Sequence, residues 1–573
     1  MQFRKLRFCG ELFIITLCLC SSPAMAIEAP PLSQIVKQSA KDCPVQEQET
    51  RVPLITWGGD IATVYANGGS ATTAQDSIFS ELGLKIKLER EDVFSEQVAA
   101  YLSCKSPYLR GTMGMINMAA AVADREPRTK LNIVYQMTWS AGGDALVVKS
   151  SIKRPADLKG KIVAVQAYGP HVDYLAKVLK DAGLSLEDVK ILWTKDLTGS
   201  KNTPVSALAT SNVDAALVII PDALALTSNG TVGTGAEDSV KGAKILLSTK
   251  SANRIIADVY AVRSDYLKAN RKKVQAFVHG LMIAQERLAE QFKSKSKKSS
   301  SYNETIRTAA DILLDSPEAV ADTEAMYQDA EFAGWGGNLK FFKDGNYPRN
   351  FSRLTTEVQT AFLSAGLISK KVALAHADWD YEAFKGALRD VSKVEAPRFD
   401  KSAVARVVGK KQQQGTLSDE GLFSFEVYFK PNQNSFSAEL YQKAFDKVID
   451  LSSTYGGALI TVEGHSDPLG YLKKKKKNER EIVLRRVKQA AKNLSLTRAN
   501  AVRDSLISFA KSKGVTLDPS QFAVVGHGIN KPQNGICSGD PCAPKTEQEW
   551  LNNMRVEFRI IQIEAEESLF KPL

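Results

Sequence analysis

The sequence predicts an α/β protein of two lobes, followed by a smaller α+β domain. Short apolar runs alternate with helical patterns of about a dozen residues over the first two thirds of the chain, which is typical of sheets with helices on both faces. The alternation stops in a charged, Gln-rich stretch and resumes at Phe423. The predicted units are a signal peptide (1–26), a lead-in (27–50), a two-lobed domain (51–395; one lobe about 51–149 and 250–395, the other about 150–249), a linker (396–422) and a C-terminal domain (423–573).

The first 26 residues have the three parts of a secretory signal peptide. Basic residues come first, an apolar run from Leu12 to Cys20 follows, and small residues stand at Ala24 and Ala26. The apolar run is too short to span a bilayer, so we expect cleavage before Ile27 rather than a membrane anchor. The lead-in that follows is rich in Pro, Gln, Glu and Lys and is not expected to form core.

Four of the seven cysteines remain after the predicted cleavage. An even number in an oxidising compartment predicts disulfides. Cys537 and Cys542 lie in a CSGDPC segment that favours a local bridge, which leaves Cys43 with Cys104. Zinc is the alternative for the close pair, but no second Cys or His pair stands at ligand spacing. We therefore predict no metal and no cofactor.

The chain is basic, with a formal net charge of +11. Such a surface suits anionic partners, of which envelope polymers and anionic lipids are the candidates outside the cytoplasm. Nucleic acid is the other usual partner of a basic chain. We predict no nucleic-acid binding, because the signal peptide directs the protein to a compartment where nucleic acid is scarce.

The stretch from Leu158 to Pro170 predicts a strand, a glycine turn and a helix. Ligands of open α/β sheets sit at the carboxyl ends of strands, beside the free N–H groups of the next helix. Two further stretches, Val52–Gly59 and Gly111–Asn117, have the same order. We expect the three strand ends to converge on a cleft. The chain should cross between the lobes near Gly142–Lys149 and Ile256–Arg263.

The candidate solute-binding residues stand at these strand ends and at the first crossing. They are Trp57, Gly58, Gly59, Met115, Asn117, Ser140, Gly142, Asp144, Tyr168, Gly169 and Asp222. A pocket with aromatic walls and one or two carboxylates favours a cationic or amine-bearing solute. The alternative is that the glycines serve ordinary turns and that Asp144 caps a strand end. The residues alone do not identify the solute.

Several motifs, in order, resemble the nitrate/sulfonate/taurine type of ABC-transporter substrate-binding protein. They are Ser140-Ala141-Gly142-Gly143-Asp144, the strand 145–149, Asp157-Leu158-Lys159-Gly160-Lys161 and Val213-Asp214-Ala215-Ala216 before Pro221. The resemblance runs from about Val52 to Leu388. It implies the type II periplasmic-binding-protein fold, hinge closure on a small-molecule solute, and an ABC permease of the inner membrane as a further partner.

The C-terminal domain resembles the OmpA-like peptidoglycan-binding domain over Phe423 to Ile563. The motifs are His465-Ser466-Asp467, Leu494–Ala499, Val525-Gly526-His527-Gly528 and Asn553–Glu557. The resemblance implies that Asp467 and Arg498 grip the amino and carboxyl groups of diaminopimelate in the peptide stem. Arg supplies a bidentate fork for a carboxylate. Ser466 and Arg555 are the other candidates. The alternative is an ordinary Asp–Arg surface pair.

A lysine-rich insert, 473–492, separates Asp467 from Arg498 by more residues than the OmpA-like pattern usually has. Five consecutive lysines begin at Lys473, and an apolar periodicity follows that suggests a charged helical extension ahead of the motif helix. A solvated flap is the plainer interpretation, because charge runs are usually solvated. An added contact to an anionic envelope polymer is the other.

Three classes of function fit this organisation. The first is a periplasmic solute-binding protein of a Gram-negative bacterium that binds peptidoglycan. The outer membrane is a candidate location for it. The second is an enzyme, since thiamine-pyrimidine synthases share the two-lobed fold. We predict no enzyme, because no catalytic constellation or clustered Cys and His ligands stand in the first domain. The third is an envelope structural or sensing protein that uses the lobes as a docking surface.

Overall fold

The computed structural model describes residues 27–43, 49–210, 212–236, 238–297, 299–389, 399–414, 421–429, 441–537 and 540–561. The predicted signal peptide lies outside these residues.

The strands in chain order are β1 (Thr50–Leu54), β2 (Ile86–Arg90), β3 (Tyr108–Thr112), β4 (Leu131–Ser140), β5 (Asp144–Val148), β6 (Ile162–Gln166), β7 (Lys190–Thr194), β8 (Ala215–Ile219), β9 (Lys244–Ser248), β10 (Ala257–Arg263), β11 (Ala330–Phe332), β12 (Ala375–His376), β13 (Gly421–Tyr428), β14 (Leu459–His465), β15 (Phe522–Gly528), β16 (Ile536–Cys537), β17 (Asp540–Pro541) and β18 (Arg555–Ile561).

The helices are α1 (Leu32–Ile35), α2 (Ile61–Ala66), α3 (Ile78–Glu81), α4 (Phe94–Leu102), α5 (Met113–Ala123), α6 (Val172–Asp181), α7 (Pro204–Leu208), α8 (Ile220–Leu226), α9 (Ser264–Lys293), α10 (Ser300–Leu314), α11 (Val320–Asp329), α12 (Gly334–Lys343), α13 (Phe351–Ser364), α14 (Lys401–Gln414), α15 (Gln442–Thr454), α16 (Leu469–Lys476), α17 (Glu481–Ser512) and α18 (Glu547–Asn552).

Lobe 1 is built on β1–β4 and β10–β12. Strands β11, β4, β10 and β3 pair in that order, β12 joins β4, and the parallel pair β1–β2 lies beside β3. Strand β10 is buried along its whole length, as expected for a strand covered on both faces. Helix α5 starts at Met113 because the Thr112 hydroxyl accepts from the Met115 N–H at 3.2 Å.

Lobe 2 is a five-stranded sheet in the order β7-β6-β8-β5-β9. Strand β6 runs parallel to β7 and β8, and β5 runs antiparallel to β8 and β9. The strand, turn and helix predicted around residues 158–170 are observed as β6, the turn and α6. The left-handed φ of Gly183 follows the end of α6, where a side chain would be strained.

The two crossings between the lobes lie earlier in the chain than the sequence suggests, and the first is shorter. Strand β5 belongs to the sheet of lobe 2 and β10 to the sheet of lobe 1, so the chain crosses over residues 141–143 and 249–256. Lobe 2 therefore begins before residue 150. The predicted crossings ran into these strands because apolar runs do not reveal which sheet they join.

The main sheet of the C-terminal domain has the order β13-β18-β14-β15, with α15 and α17 on one face, and β16 and β17 form a separate short pair. Helix α14 lies in the predicted linker, yet it is packed. Phe399, Val404 and Val408 are buried in one cluster with Val525 and Ile561, on the other face of the sheet. This part of the linker is thus an element of the C-terminal domain. Residues 390–398 and 415–420 are outside the described part.

The C-terminal domain docks where the two lobes meet. Lys177 of α6 in lobe 2 is buried between Asp181 at 2.7 Å and Asp450 of α15 at 2.8 Å. The Tyr455 hydroxyl donates to Asp181, also at 2.8 Å. From lobe 1, Glu357 reaches Lys177 at 3.8 Å. Residues of lobe 1, lobe 2 and the C-terminal domain therefore meet in one cluster of ion pairs around Lys177, called the ionic junction below.

The predicted fold class, a two-lobed α/β fold of the periplasmic-binding-protein type followed by a smaller α+β domain, is confirmed by this topology. Both predicted disulfides are present, with Cα–Cα distances of 5.2 Å for Cys43–Cys104 and 5.6 Å for Cys537–Cys542. No helix in the described part of the chain combines the length and apolarity needed to cross a membrane.

Candidate functional site

The two crossings are joined by a buried polar network where the lobes meet. Ser140 Oγ donates to Asp144 Oδ2 at 2.6 Å, and His171 Nε2 lies 2.7 Å from Asp144 Oδ1. On the second crossing, Thr249 Oγ1 accepts from the N–H groups of Gly142 and Asp144, each at 3.1 Å. The structure thus brings Ser140, Gly142 and Asp144 together, and adds His171 and Thr249.

Trp57 of lobe 1 packs against the first crossing, where the sequence predicts a cleft. Its indole Nε1 donates to Thr138 Oγ1 at 3.0 Å, and its ring covers Gly143. A Cβ on Gly143 would lie 2.5 Å from the ring, so only glycine permits this approach. A Cβ on Gly58 would overlap the carbonyl oxygen of Met326. The glycines beside Trp57 therefore serve close backbone packing.

Asp329 is a cleft residue that the sequence analysis did not select. It ends α11, its backbone carbonyl accepts from the Ala141 N–H at 2.7 Å, and its carboxylate lies against Gly142. Burial raises the pKa of Asp329 to about 7; the nearby Asp144 adds to this rise, and Lys250 opposes it. The cleft therefore holds two carboxylates on neighbouring segments. One of them changes its charge near neutral pH.

The lobes touch where Asp173 of lobe 2 meets the N-terminus of α5 in lobe 1. A Cβ on Gly114 would lie 2.5 Å from the Asp173 carboxyl carbon. Asp173 is 2% exposed, and burial raises its pKa to about 7 against the lowering effects of Arg349 and nearby backbone N–H groups. An internal carboxylate thus occupies the helix end that would attract an anion.

Met115 and Asn117, on the same helix, lie inside lobe 1. The sulfur of Met115 is 3.5 Å from the Thr112 backbone nitrogen. Asn117 donates to the Met113 carbonyl at 2.8 Å and accepts from Gln359 at 2.8 Å. The polar atoms of Asn117 are therefore engaged with α5 and α13.

Tyr168, Gly169 and Asp222 are placed at the edge of lobe 2. Tyr168 has a left-handed φ of 60°, and its hydroxyl donates to the Pro30 carbonyl at 2.6 Å, so it faces the N-terminal lead-in. A Cβ on Gly169 would overlap the Gln166 side chain. Helix α8 begins beside Asp144, since the Ile220 N–H donates to the Gly143 carbonyl at 2.8 Å. Burial raises the pKa of Asp222 on this helix.

A second candidate site lies at the end of β14 in the C-terminal domain. Asp467 follows the strand, and its Oδ1 accepts from the Leu469 N–H at 2.8 Å. Arg498 lies on α17, beyond the insert, near enough to Asp467 for the two charges to influence each other. Burial lowers the pKa of Arg498 and the charge of Asp467 opposes that change. Within the described residues the Arg498 Nε is buried without a hydrogen-bond partner. Its N–H could therefore donate to an acceptor group of a ligand.

Two glycines bring α17 against the strands that carry this site. A Cβ on Gly464 would overlap the Ser495 carbonyl oxygen, and one on Gly526 would lie 2.7 Å from the Lys492 carbonyl oxygen. Ser466 joins the same region, because its N–H donates to the Gly528 carbonyl at 2.9 Å. Arg555 instead donates to Glu426 Oε1 at 2.9 Å within the sheet. Of the predicted residues, Asp467 and Arg498 lie near enough for their charges to interact, while Ser466 and Arg555 bond to neighbouring strands.

The lysine-rich insert is a packed helical pair, not a loose flap. It forms α16 and the first turns of α17, in agreement with the predicted helical extension. Tyr471 is buried with Leu484 and Ile529. Lys475 and Lys488 lie over the Tyr471 ring and pair with Asp540 at 3.2 and 3.6 Å. The run from Lys473 to Lys477 remains exposed.

A cavity of about 670 Å³ lies at the domain junction, and its lining includes Asn346, Arg353, Asp450 and Lys513. Another, of about 170 Å³, lies in lobe 1 beside Tyr108 and Phe277. Among the described residues, one group of His, Cys, Asp and Glu has ligand atoms close enough to share a metal ion. It consists of Glu463, His465 and His527.

Sequence reasoning missed Asp329, Thr249, His171 and Thr138 for different reasons. His171 follows Gly169 by two positions and could have been selected as part of that turn. Asp329 and Thr249 carry no motif, and only the tertiary fold brings them to Gly142. Thr138 lies inside a strand, where its neighbour Trp57 is not evident from the sequence.

Two regions of the chain match known families. Residues 78–291 match the family described as NMT1/THI5 like, and residues 428–538 match the OmpA family. Both resemblances found in the sequence are confirmed by these matches. The chain carries an NMT1/THI5 like domain followed by an OmpA domain.

Part of the chain is also similar to an individual protein. The chain is 27% identical over 179 residues to the taurine-binding periplasmic protein of Escherichia coli (strain K12), which covers 31% of this chain and 49% of that protein. The chain thus spans about half the length of this relative.

Among solved structures, the periplasmic aliphatic sulphonate binding protein SsuA from Escherichia coli has a TM-score of 0.41 and 17% identity, covering 62% of this chain and 96% of that one. The alkanesulfonate-binding protein SsuA from Xanthomonas axonopodis pv. citri, bound to MOPS, has a TM-score of 0.40 and 19% identity, covering 59% and 100%. The desulfurization enzyme DSZB has a TM-score of 0.36 and 16% identity, covering 60% and 99%.

Proposed function

We propose that the chain is a periplasmic solute-binding protein, the receptor of an ABC-type importer, held non-covalently to peptidoglycan by its C-terminal domain. The observation that carries the proposal is the combination, in one chain, of a two-lobed domain whose crossings meet at an acidic cleft and a C-terminal domain in which Asp467 lies near Arg498. We place it in the periplasm of a Gram-negative bacterium and propose no catalytic activity.

The cleft supports a small solute that carries an amine or another cationic group. Asp144 and Asp329 supply negative charge beside the indole of Trp57, and an indole face attracts cations. Asp173 occupies the N-terminus of α5, so in this arrangement an anionic group of a solute cannot take that position. Taurine, named for the relative above, carries an ammonium as well as a sulfonate, and its ammonium end fits this cleft.

Closure would follow the usual hinge motion of two lobes joined by short crossings. The Ser140–Asp144–Thr249 network holds the two crossings together, so they can bend as one unit. Trp57 from lobe 1 and Gly143 at the first crossing already touch. We infer that a solute is bound where these surfaces separate.

The wall-binding site supports recognition of a zwitterionic peptide end. Asp467 can accept from an ammonium group, and the buried Nε of Arg498 can donate to a carboxylate. Diaminopimelate of the peptidoglycan stem carries both groups on one carbon, which is the chemistry that one fixed acceptor and one forked donor select.

A second candidate function is an envelope structural or sensing protein. The observation that favours it is the ionic junction at Lys177, which attaches the C-terminal domain to both lobes and could make the lobes part of a docking surface. A solute receptor must gain stability with a small molecule, whereas a docking surface need not.

The test is a thermal-shift screen of the full chain with amines, amino acids, taurine, alkanesulfonates, nitrate and pyrimidines. A solute at a hundredfold excess over its dissociation constant should add about 2.7 kcal/mol of stability. We expect an amine-bearing compound to raise the melting temperature of the wild type and of Trp550→Ala, a matched change in α18, but not of Trp57→Ala. If no compound raises it, the receptor proposal is wrong and the docking-surface alternative is favoured.

A further inference from the structure

Three metal-ligand side chains meet on the sheet of the C-terminal domain, on the face opposite α17. Glu463 and His465 stand two residues apart on β14, so they project from the same face. His527 lies on the parallel neighbour β15. One ligand atom from each of the three side chains lies within 4.8 Å of the others, and all three residues are buried.

The hydrogen bonds of His465 fix which of its nitrogens is free. Its Nδ1 lies 3.0 Å from the carbonyl oxygen of Lys531, so Nδ1 carries the proton and donates. The lone pair is then on Nε2. This atom is buried and has no hydrogen-bond partner among the described residues. A backbone carbonyl that orients an imidazole through its other nitrogen is the usual support of a metal-binding histidine.

Charged and polar side chains surround Glu463 and the two histidines. Glu463 Oε2 lies 2.6 Å from His527 Nε2, and Glu463 Oε1 accepts from Thr461 Oγ1 at 2.8 Å. Two guanidinium groups also lie near. Arg555 binds Glu426, and Arg559 binds Glu557 and also lies 3.4 Å from Glu463 Oε1, the oxygen that the proposed metal would leave free.

We propose that Glu463 Oε2, His465 Nε2 and His527 Nε2 bind a zinc ion in the C-terminal domain. Two imidazoles and one carboxylate are a common zinc ligand set. On binding, the His527 imidazole would change tautomer, with its proton on Nδ1 instead of Nε2, so that His527 Nε2 and Glu463 Oε2 both turn lone pairs to the metal. The nearest further ligand is Glu557, whose Oε2 lies 3.8 Å from His465 Nε2.

The position of the site gives the ion a structural role. His465 is followed directly by Ser466 and Asp467, so a metal here would fix the end of β14 and the loop that carries Asp467. Because Glu463 is only 1% exposed, the site is closed to large ligands. The inference concerns metal binding and is independent of the proposed solute and wall ligands.

The test uses the full chain, purified through a tag without histidines and stripped with a chelator. After dialysis against zinc and removal of loose metal, elemental analysis should find a single zinc ion per chain. Zinc should raise the melting temperature of the stripped protein, and cobalt should give the visible absorption of a four-coordinate site. His465→Gln and His527→Gln should lose most of the bound zinc, while His376→Gln in lobe 1 should retain it.

Two results would overturn the proposal. One is a stripped wild-type chain that neither retains zinc in stoichiometric amount nor gains stability with it. The other is equal zinc retention by the wild type and both site variants. The wild-type measurements do not depend on the folding of any variant, so they decide the question even if a histidine variant is too unstable to purify.

Discussion

At the scale of single residues, ligand binding by the C-terminal domain depends on a few side chains that are held in position by the fold. Arg498 is half-buried with its Nε unpartnered among the described residues, and Asp467 lies near it. The sequence motif predicted both residues. It did not predict how the inserted helices would place the two residues relative to each other, because the sequence of an insert of that length does not determine its geometry.

Arg498→Lys should weaken binding of the chain to isolated peptidoglycan sacculi by about tenfold or more. Lysine keeps the charge but loses the fork, and one charge-assisted hydrogen bond is worth about 1.5–3 kcal/mol. Arg503→Lys, a similar change further along α17, is the control. Co-sedimentation measures the affinity, and equal binding by both variants would refute the assigned role of Arg498.

Asp329 should make the two-lobed domain less stable as pH rises. Its pKa is raised to about 7 in the folded protein by burial, whereas the unfolded chain ionises near its ordinary value of 3.8. The folded state therefore holds the proton more tightly, and the stability this gives at low pH is lost as pH rises towards 7 and above. Asp329→Asn should flatten the fall in melting temperature between pH 5 and pH 8.

The control for this pH dependence is Asp322→Asn, because Asp322 is exposed on the same helix. It should keep the wild-type pH profile. A profile of Asp329→Asn that is parallel to that of the wild type would show that Asp329 is already ionised at pH 5, contrary to the expected raised pKa.

At the scale of elements, close packing of helices on strands determines the sites. The sequence predicted β6, its glycine turn and α6, because a buried apolar run and a 3.6-residue pattern follow each other there. It did not predict α14, whose charged and Gln-rich pattern resembles a linker although one side of the helix is buried on the sheet. It also misplaced the crossings, since pairing partners of a strand are distant in sequence.

Gly464→Ala should separate α17 from β14. The new Cβ would overlap the Ser495 carbonyl oxygen, a backbone atom that can move only with the helix. We expect destabilisation of the C-terminal domain by about 1–3 kcal/mol, as for other overpacked sites, and reduced sacculus binding. Gly470→Ala, where a Cβ meets no atom within 4 Å, should be neutral in urea unfolding. Equal stability of the two variants would contradict the packing described for Gly464.

At the scale of the whole molecule, the ionic junction ties the C-terminal domain to both lobes. Lys177, nearly fully buried, holds Asp181 and Asp450 together, and Tyr455 adds a hydrogen bond. The sequence of neither domain predicted this contact, because its partners are far apart in the chain. Each of these residues is also of a type that is common on exposed surfaces. The arrangement implies that closure of the lobes and the docking of the C-terminal domain affect each other.

Lys177→Met should destabilise this junction by about 3 kcal/mol, since removal of one partner leaves buried carboxylates without a counter-charge. Lys180→Met is the control, because Lys180 is 59% exposed and its pair with Glu357 should contribute less than about 1 kcal/mol. Urea unfolding of the full chain compares the two. A smaller loss for Lys177→Met than for Lys180→Met would show that the domains are not held together in this way.

The central claim is that one chain holds a solute and the cell wall at the same time. The most direct measurement is co-sedimentation with sacculi in the presence of labelled solutes from the screen. We predict that an amine-bearing solute enters the pellet only with the chain, and that Trp57→Ala leaves the solute in the supernatant while the protein still sediments. Arg498→Lys should leave most of both in the supernatant. A chain that sediments without retaining any solute of the panel, or that binds a solute but never the sacculi, would contradict the claim.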